Sequence, residues 1–441
     1  MKNFFGKILC PFLLFGVCVL LPGVKAEAQE ASRLQTNIQW NNTDRTQTLS
    51  DDTPGTGIRL KADDVIQITA NEKIAGLYIE WNTFGEEAAV LTYGSKSIEI
   101  GKSSSYIHEY ISLDGGADAC TITVSSETRI GSIYAFSKGE LPSSVQRWET
   151  MENEADIMVF PAFGCEETLL FGPQIATFAK DYKVQVMYLC KYDDSASVER
   201  MHELLDALWQ LGVRYYPVNA GCNEIISTTY EAAKMQYDGE AIKKELEAAL
   251  LKYQPLVVIS MGPNKGALNS VHKFYGELLV DALSATEDKN MVQKIYFRRH
   301  AENQILFPVE ENLQLAKKAY KRFASLLYGN VSPTGDTSSY FCCAEFGLYK
   351  STVGFDTGND MLEHVKFRIK EEEKEEQESI SSAENSNETS VSAIADVKEK
   401  KTNILAILGV VFIVAGVALI LFTEIYTAHW KMKKKEEEGS T

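Results

Sequence analysis

The sequence is poor in the residues that most often reveal a function directly. It contains 6 histidines and 8 cysteines in 441 residues, and the cysteines are scattered, with no Cys-x-x-Cys pair among them. This spacing matches neither a paired-cysteine zinc site nor a dense disulfide framework. One disulfide is possible, and the sequence does not identify its two partners.

The chain also lacks an excess of positive charge. Aspartate and glutamate outnumber lysine and arginine by 61 to 44, and the formal net charge at pH 7 is -17. Because phosphate binding needs a basic stripe, and none is present, the sequence argues against a nucleic-acid partner. It contains no internal repeat.

Long hydrophobic runs are confined to the two ends of the chain. Residues 1–28 have early lysines, an apolar run and an Ala-x-Ala close, a pattern typical of a secretory signal peptide. Near the other end, residues 404–422 are 19 consecutive uncharged residues. Such a run can cross a bilayer, and the lysine cluster after it favours the cytoplasmic side. We therefore predict a single C-terminal transmembrane helix over residues 403–423, a cytoplasmic tail over 424–441 and an ectodomain at the cell surface.

The first folded domain is predicted over residues 29–140. Short runs with partial period-2 alternation are separated there by Gly, Asp, Asn and Ser, which predicts an antiparallel β-sandwich of jelly-roll type. Such sandwiches often bind sugars, although the fold alone does not establish this. Trp81, Tyr106, His108 and Tyr110 are candidates for a binding edge, but we favour ordinary core and edge packing for them.

The second folded domain is predicted over residues 156–365, after a linker at residues 141–155. Buried-strand patterns such as 184–190 and 214–218 alternate with helical patterns such as 197–211 and 270–285. This rhythm predicts a Rossmann-like α/β domain with a doubly wound, mostly parallel sheet. Residues 366–402 are rich in Glu, Lys, Ser and Asn and have little to bury, so we predict a solvated stalk.

Residues 155–172 are the most informative stretch of the second domain. An apolar strand pattern at 156–160 is followed by a turn at 161–167 and a helical pattern from residue 168. A turn between a strand and a helix lies at the carboxyl edge of the sheet. Open α/β sheets bind their ligands at that edge.

The turn resembles a known signature. Residues 162–167 read Ala-Phe-Gly-Cys-Glu-Glu, in the frame of the A-H-P-D-D-E motif of the PIG-L/LmbE-like N-acetylglucosaminyl deacetylases, which are zinc amidohydrolases. Residues 200–203 match the R-x-x-E helix of that family, so the resemblance implies that Arg200 contacts a sugar. Residues 269–272 stand where the family has H-x-D-H, and 346–354 are similar to the closing motif of bacterial members with a leading β-domain.

The resemblance also implies a zinc site, of which this chain keeps only part. In active members the metal is held by the signature histidine, the second signature aspartate and the second histidine of the later motif. These positions hold Phe163, Glu166 and His272. Phe163 cannot coordinate a metal, whereas Glu166 and His272 could, which leaves an incomplete set.

Two further catalytic positions are substituted. Cys165 stands where the family has its general base, and Asn269 where it has the histidine that stabilises the tetrahedral intermediate. Cysteine is a poor base here, because Glu166 and Glu167 should raise its pKa and keep it a neutral thiol. Losing several cooperating groups costs many orders of magnitude in rate, so hydrolysis by the family mechanism should fail.

Three functions remain open at this point. The leading hypothesis is a membrane-tethered, catalytically silent protein that binds a glycan or cell-wall polymer containing N-acetylglucosamine and needs no cofactor. The second is an active metal-dependent deacetylase in which Cys165, Glu166 and His272 hold zinc as an altered ligand set. The third is a structural surface protein that only makes partner contacts.

Overall fold

The computed structural model describes residues 29–102, 106–191, 198–225, 227, 229–263, 267–298, 310–323, 345–358 and 360–368. The predicted signal peptide, transmembrane helix and cytoplasmic tail, and nearly all of the predicted stalk, lie outside these residues. Within the described ranges, no helix is both long enough and apolar enough to cross a membrane. Both sheets described below belong to one unit, Met1–Lys366.

The first sheet is antiparallel, as predicted. Its eight strands are β1 Thr36–Trp40, β2 Thr43–Asp44, β3 Ile58–Leu60, β4 Val65–Thr83, β5 Ala89–Tyr93, β6 Lys96–Ile100, β7 His108–Thr123 and β8 Thr128–Phe136. A short helix, α1 Thr46–Leu49, and a 3-10 turn, Pro54–Thr56, connect β2 to β3. Hydrogen bonds join all eight strands into one sheet, whereas the jelly-roll prediction has two.

Irregular pairing within two long strands explains this difference. The register of β4 against β7 shifts between Thr69 and Ile74 and again before Gly76. The first part of β4 pairs with β1 and the last part with β8, while β7 accompanies both parts. Ile68 from the first part and Leu77 from the last part are both buried in one core. One sheet therefore encloses the core because β4 and β7 pass from one half of it to the other.

The second sheet has six strands in the order β11-β10-β9-β12-β13-β14. Its strands are β9 Ile157–Phe160, β10 Val184–Cys190, β11 Val218–Cys222, β12 Val257–Ser260, β13 Lys294–Arg298 and β14 Phe346–Ser351. Neighbouring strands are parallel except for β14, which runs antiparallel to β13. The helices of this half are α2 Glu166–Leu169, α3 Gly172–Phe178, α4 Val198–Gln210, α5 Tyr230–Gln236, α6 Gly239–Tyr253, α7 Ser270–Ala285 and α8 Glu310–Tyr320.

Helices cover both faces of this second sheet. Ile157 and Val159 of β9 belong to a core built with α2, α3, α4 and α8. Met158 and Phe160, which point to the opposite face, belong to a core built with α5, α6 and α7. This is the doubly wound arrangement that the alternating sequence pattern predicts.

The strand order reverses at β9, which lies between β10 and β12. The chain leaves β9 toward one side of the sheet and later returns to β12 on the other side. Such a switch point leaves a crevice outside the carboxyl ends of the two central strands. The turn after Phe160 enters this crevice, and the start of α7 reaches it from the β12 side.

Candidate functional site

Cys165 begins α2 in an unusual backbone conformation. Its φ is 74° and its ψ is -19°, in the left-handed region that residues with a side chain seldom adopt. Its carbonyl oxygen accepts hydrogen bonds from the backbone N–H of Leu169 at 3.0 Å and from the hydroxyl of Thr168 at 2.7 Å. The bonds to α2 hold the chain in this strained turn, and they place the two residues after Cys165 in the first turn of the helix.

Glu166 joins the turn to the opposite side of the crevice. One carboxylate oxygen, Oε2, accepts the backbone N–H groups of Ala162 at 2.8 Å and Phe163 at 3.1 Å. The other, Oε1, lies 2.5 Å from Nε2 of His272. Glu166 is 7% exposed and His272 is 2% exposed. Both oxygens of this buried carboxylate are therefore used within the protein.

Asn269 is the N-cap of α7. Its side-chain oxygen accepts the backbone N–H of His272 at 3.0 Å. This bond satisfies one of the N–H groups that a helix leaves free at its start, and asparagine is among the best residues for this role. The residue at the predicted intermediate-stabilising position thus has a structural task, and it orients the first turn that carries His272.

Phe163 packs against the imidazole of His272. The ring centroids are 5.8 Å apart and the ring planes are tilted by 57°. Phe163 is half-buried and contacts the core formed with α5, α6 and α7. At the predicted lost-ligand position, an aromatic ring therefore covers one side of the histidine.

The residues present do not fit a zinc ion. Two ligands bound tetrahedrally at about 2.0–2.2 Å from zinc would lie roughly 3.4 Å apart. Oε1 of Glu166 and Nε2 of His272 are 2.5 Å apart, so no ion fits between these two atoms. Among the described residues, no group of three His, Cys, Asp or Glu side chains could hold a metal ion.

Cys165 does not supply the missing donor or a base. Burial raises the pKa of its thiol well above the usual value, and the carboxyl groups of Glu167 and Glu166 raise it further. The cysteine is therefore a neutral thiol at physiological pH, as the sequence predicts. A thiol is neither a general base nor a good zinc ligand.

Glu167 is a buried acid beside this thiol. It is 0% exposed, and burial raises its pKa to about 8, while the hydroxyl of Tyr188 on β10 lowers it in part. Glu167 is therefore mostly protonated at pH 7. Sequence reasoning missed Tyr188, because it lies within a wholly buried apolar strand that shows no polar pattern.

Arg200 lies on the first turn of α4, at the same edge of the sheet. Its Nη1 is 4.0 Å from Oε2 of Glu224, and the two side chains are 50% and 55% exposed. Both charges act on the thiol of Cys165, where Glu224 raises the pKa and Arg200 lowers it. This contact joins the start of α4 to the segment after β11.

Known proteins resemble this chain only distantly. No protein-family model and no curated protein matches the sequence. A conserved protein of Thermus thermophilus is 16% identical over 42% of this chain and 84% of its own, with a TM-score of 0.35. The N,N'-diacetylchitobiose deacetylase of Pyrococcus horikoshii is 16% identical over 40% and 73%, with a TM-score of 0.33. A pectin-binding carbohydrate-binding module is 12% identical over 25% and 96%, with a TM-score of 0.20.

Proposed function

We propose that this protein is a catalytically silent glycan-binding protein of the cell surface, tethered by its C-terminal hydrophobic segment. Its ligand class is a glycan or cell-wall polymer that contains N-acetylglucosamine. The observation that carries the proposal is the direct contact between Glu166 and His272. It supports the loss of the metal chemistry while the surrounding edge of the sheet keeps polar groups.

The proposed lack of hydrolytic activity rests on several side chains of the site together. Zinc hydrolases need three protein ligands and an open fourth position for water. Here Phe163 offers no donor, and Glu166 and His272 bind each other. The residue at the base position, Cys165, holds its proton. None of these four side chains can therefore activate a water molecule and accept its proton.

The proposed ligand class rests on the chemistry near Arg200. A half-exposed guanidinium beside the half-exposed carboxylate of Glu224 offers both donors and acceptors to sugar hydroxyls. The half-buried ring of Phe163 adds an apolar surface on the turn. Binding sites for small molecules combine apolar surface with a few well-placed polar groups. The sequence resemblance of the Arg200 helix to a sugar-contacting motif points in the same direction.

Isothermal titration calorimetry of the full-length protein with N-acetylglucosamine oligomers and soluble peptidoglycan fragments tests the proposal. We expect binding that Arg200→Ala weakens roughly 10- to 100-fold, the cost of a hydrogen bond to a charged group. Lys243→Ala is the matched control, because Lys243 pairs with Glu247 within α6. No binding, or equal binding by both variants, would remove this function.

Two parallel measurements separate the alternatives. Acetate release from the same oligomers, together with near-stoichiometric zinc that His272→Ala loses, would establish the metal-dependent deacetylase instead. Absence of both binding and hydrolysis would leave the structural surface protein, a role that the packing of Phe163 on His272 would suit.

A further inference from the structure

A row of four buried polar side chains crosses the boundary between the antiparallel sheet and the α/β half. The hydroxyl of Tyr78 on β4 lies 2.9 Å from Nδ1 of His108 on β7. Nε2 of His108 lies 2.7 Å from Nδ1 of His202 on α4. Nε2 of His202 lies 3.0 Å from Oδ1 of Asn82, again on β4. All four residues are at most 4% exposed, and the two imidazole rings stack with centroids 4.9 Å apart.

The direction of the hydrogen bonds in this row is determined by its last member. The side-chain oxygen of Asn82 can only accept, so Nε2 of His202 donates to it. In a neutral imidazole the other nitrogen then accepts, so Nδ1 of His202 accepts from Nε2 of His108. By the same reasoning Nδ1 of His108 accepts from the hydroxyl of Tyr78. With both histidines neutral, every ring nitrogen has a matching partner.

An added proton breaks this match. A proton on Nδ1 of His202 would face the N–H of His108, and the two donors would repel each other. A proton on Nδ1 of His108 would require the Tyr78 hydroxyl to turn away and accept. Neither charged ring could reach water, because both residues are almost completely buried. The row is therefore stable only while both rings are neutral.

Helix α4 connects this row to the candidate site. His202 and Arg200 are two positions apart, which places them about 200° apart around the helix axis. His202 contacts the antiparallel sheet, while Arg200 reaches Glu224 at the carboxyl edge of the other sheet. The position of Arg200 therefore depends on what the opposite side of its helix contacts.

We propose that Tyr78, His108, His202 and Asn82 form a proton-sensitive clamp. The clamp holds α4 against the antiparallel sheet at neutral pH and releases the helix in acid. His108, His202 and Asn82 are thus positioning residues for Arg200. We also expect release of α4 to weaken ligand binding, and this expectation rests on the proposed function.

The sign of the pH dependence follows from burial. Burial lowers the pKa of His202 to about 3. Burial also lowers the pKa of His108 well below its usual value of 6.5, and repulsion from His202 when both rings are protonated lowers it further. The released histidines titrate near 6.5, so release takes up protons below that pH and not above it. Each proton taken up raises the release constant up to tenfold per pH unit.

Other titratable and charged groups face the clamp. They are Glu80 on β4, Tyr134 on β8, Asp206 on α4 and Arg322 after α8, with the amide of Gln146 beside them. Burial, with the mutual repulsion of these carboxylates, raises the pKa of Glu80 to about 7, and burial raises that of Asp206 to about 6. Release makes these acids give up protons, so below pH 7 they oppose the histidines. A histidine variant is therefore needed to isolate the histidine contribution.

Hydrogen exchange of the full-length protein, corrected for the intrinsic rate at each pH, measures release of α4. His202→Gln keeps an acceptor and a donor but cannot take up a proton, and His364→Gln, at a half-exposed histidine away from the clamp, is the control. From pH 6 to pH 5 we expect the ratio of release constants, wild type over His202→Gln, to rise roughly eightfold, since the released histidine titrates near 6.5. His364→Gln should follow the wild type. A ratio that stays constant would overturn the clamp.

His108→Gln gives a second test, should His202→Gln fold poorly, because the ratio of wild type to variant cancels the contribution of the acids. The ratio of release constants, wild type over His108→Gln, should also rise roughly eightfold from pH 6 to pH 5. A ratio that stays constant would again overturn the proposal. Glycan binding is scored separately: absence of binding at any pH would end the proposed function and leave the clamp, which is judged by exchange alone.

Discussion

The contact between Glu166 and His272 predicts a large and coupled loss of stability when either residue is truncated. Glu166→Ala removes the acceptor of the buried N–H of Ala162, of the part-buried N–H of Phe163 and of the buried imidazole of His272. A buried group left without its partner costs about 1–3 kcal/mol, and breaking a buried pair about 3–5 kcal/mol. We expect Glu166→Ala to cost about 4 kcal/mol of unfolding free energy. His272→Ala should cost about 3 kcal/mol, because Glu166 keeps its two backbone donors.

A double-mutant cycle isolates the contact itself. Once His272 is gone, removing Glu166 no longer leaves an imidazole unpaired, so the two losses should not add. We expect a coupling of about 2 kcal/mol, near the upper part of the range for residues in direct contact. Glu166→Gln is the conservative control, because its amide oxygen can still accept the N–H groups of the turn.

Urea unfolding of the full-length protein, followed by tryptophan fluorescence, measures these values, and each curve is repeated with a chelator. A metal bridging the two side chains would also couple them, but removing it would destabilise the wild type. We expect the chelator to leave the wild-type curve unchanged. Coupling below about 0.5 kcal/mol would refute the direct contact, and a chelator-sensitive wild type would show that a metal lies between the residues.

Three further predictions concern single positions. Cys165→Gly should be about 1 kcal/mol more stable than Cys165→Ala in the same urea assay, because only glycine accepts a φ of 74° without strain. Asn269→Ala should lose about 1 kcal/mol and Asn269→Asp much less, since aspartate also caps a helix; thermal unfolding checks this. Glu80→Gln should flatten the pH dependence of stability between pH 4.5 and 7. The wild-type carboxyl of Glu80 has a pKa of about 7 in the folded protein and 4.5 in the unfolded chain. The free energy of unfolding therefore falls by up to about 1.4 kcal/mol per pH unit as pH rises through that window. Equal pH profiles for the two proteins would contradict it.

Much of the α/β half could be predicted from the sequence. The strand predicted at residues 184–190 and the helix predicted at 270–285 have the same bounds in the structure. The strand is a nearly continuous apolar run and the helix has a long periodic pattern, and polar residues flank both, so local pattern and tertiary environment agree. The strand predicted at residues 214–218 is instead found at Val218–Cys222, directly after Pro217, which has no N–H to donate to a neighbouring strand.

The antiparallel half was harder to predict from the sequence, for a physical reason. Residues 65–83 contain Asn, Glu and Lys in their middle, which predicts a break between two short strands, yet β4 runs through all of them. These polar residues lie at the register shifts, where the strand is exposed on its way between the two halves of the core. A local pattern cannot distinguish a turn from an irregular stretch of a continuing strand. For Trp81 and His108, both 1% exposed, core packing was the right interpretation.

Around the candidate site, too, local contacts could be predicted from the sequence and distant contacts could not. The cap formed by Asn269 is a local interaction, and its sequence position before a helical pattern could have identified it. The pairing of Arg200 with Glu224 and the contact of His108 with His202 join residues 24 and 94 positions apart. A single sequence carries no signal for such pairs, because only the fold brings the two residues together.

The residues of the turn, together with His272, form one connected arrangement. A buried carboxylate needs compensating donors, and where a metal ion would supply positive charge, Glu166 instead receives three hydrogen-bond donors. Glutamate is one methylene longer than the aspartate of the signature that this turn resembles, which helps it reach both the turn and His272. Phe163 then covers the imidazole with an apolar ring, and such a ring fits beside a hydrogen-bonded histidine but not as a ligand of an ion. A histidine placed at position 163 alone would therefore leave Glu166 and His272 bound to each other.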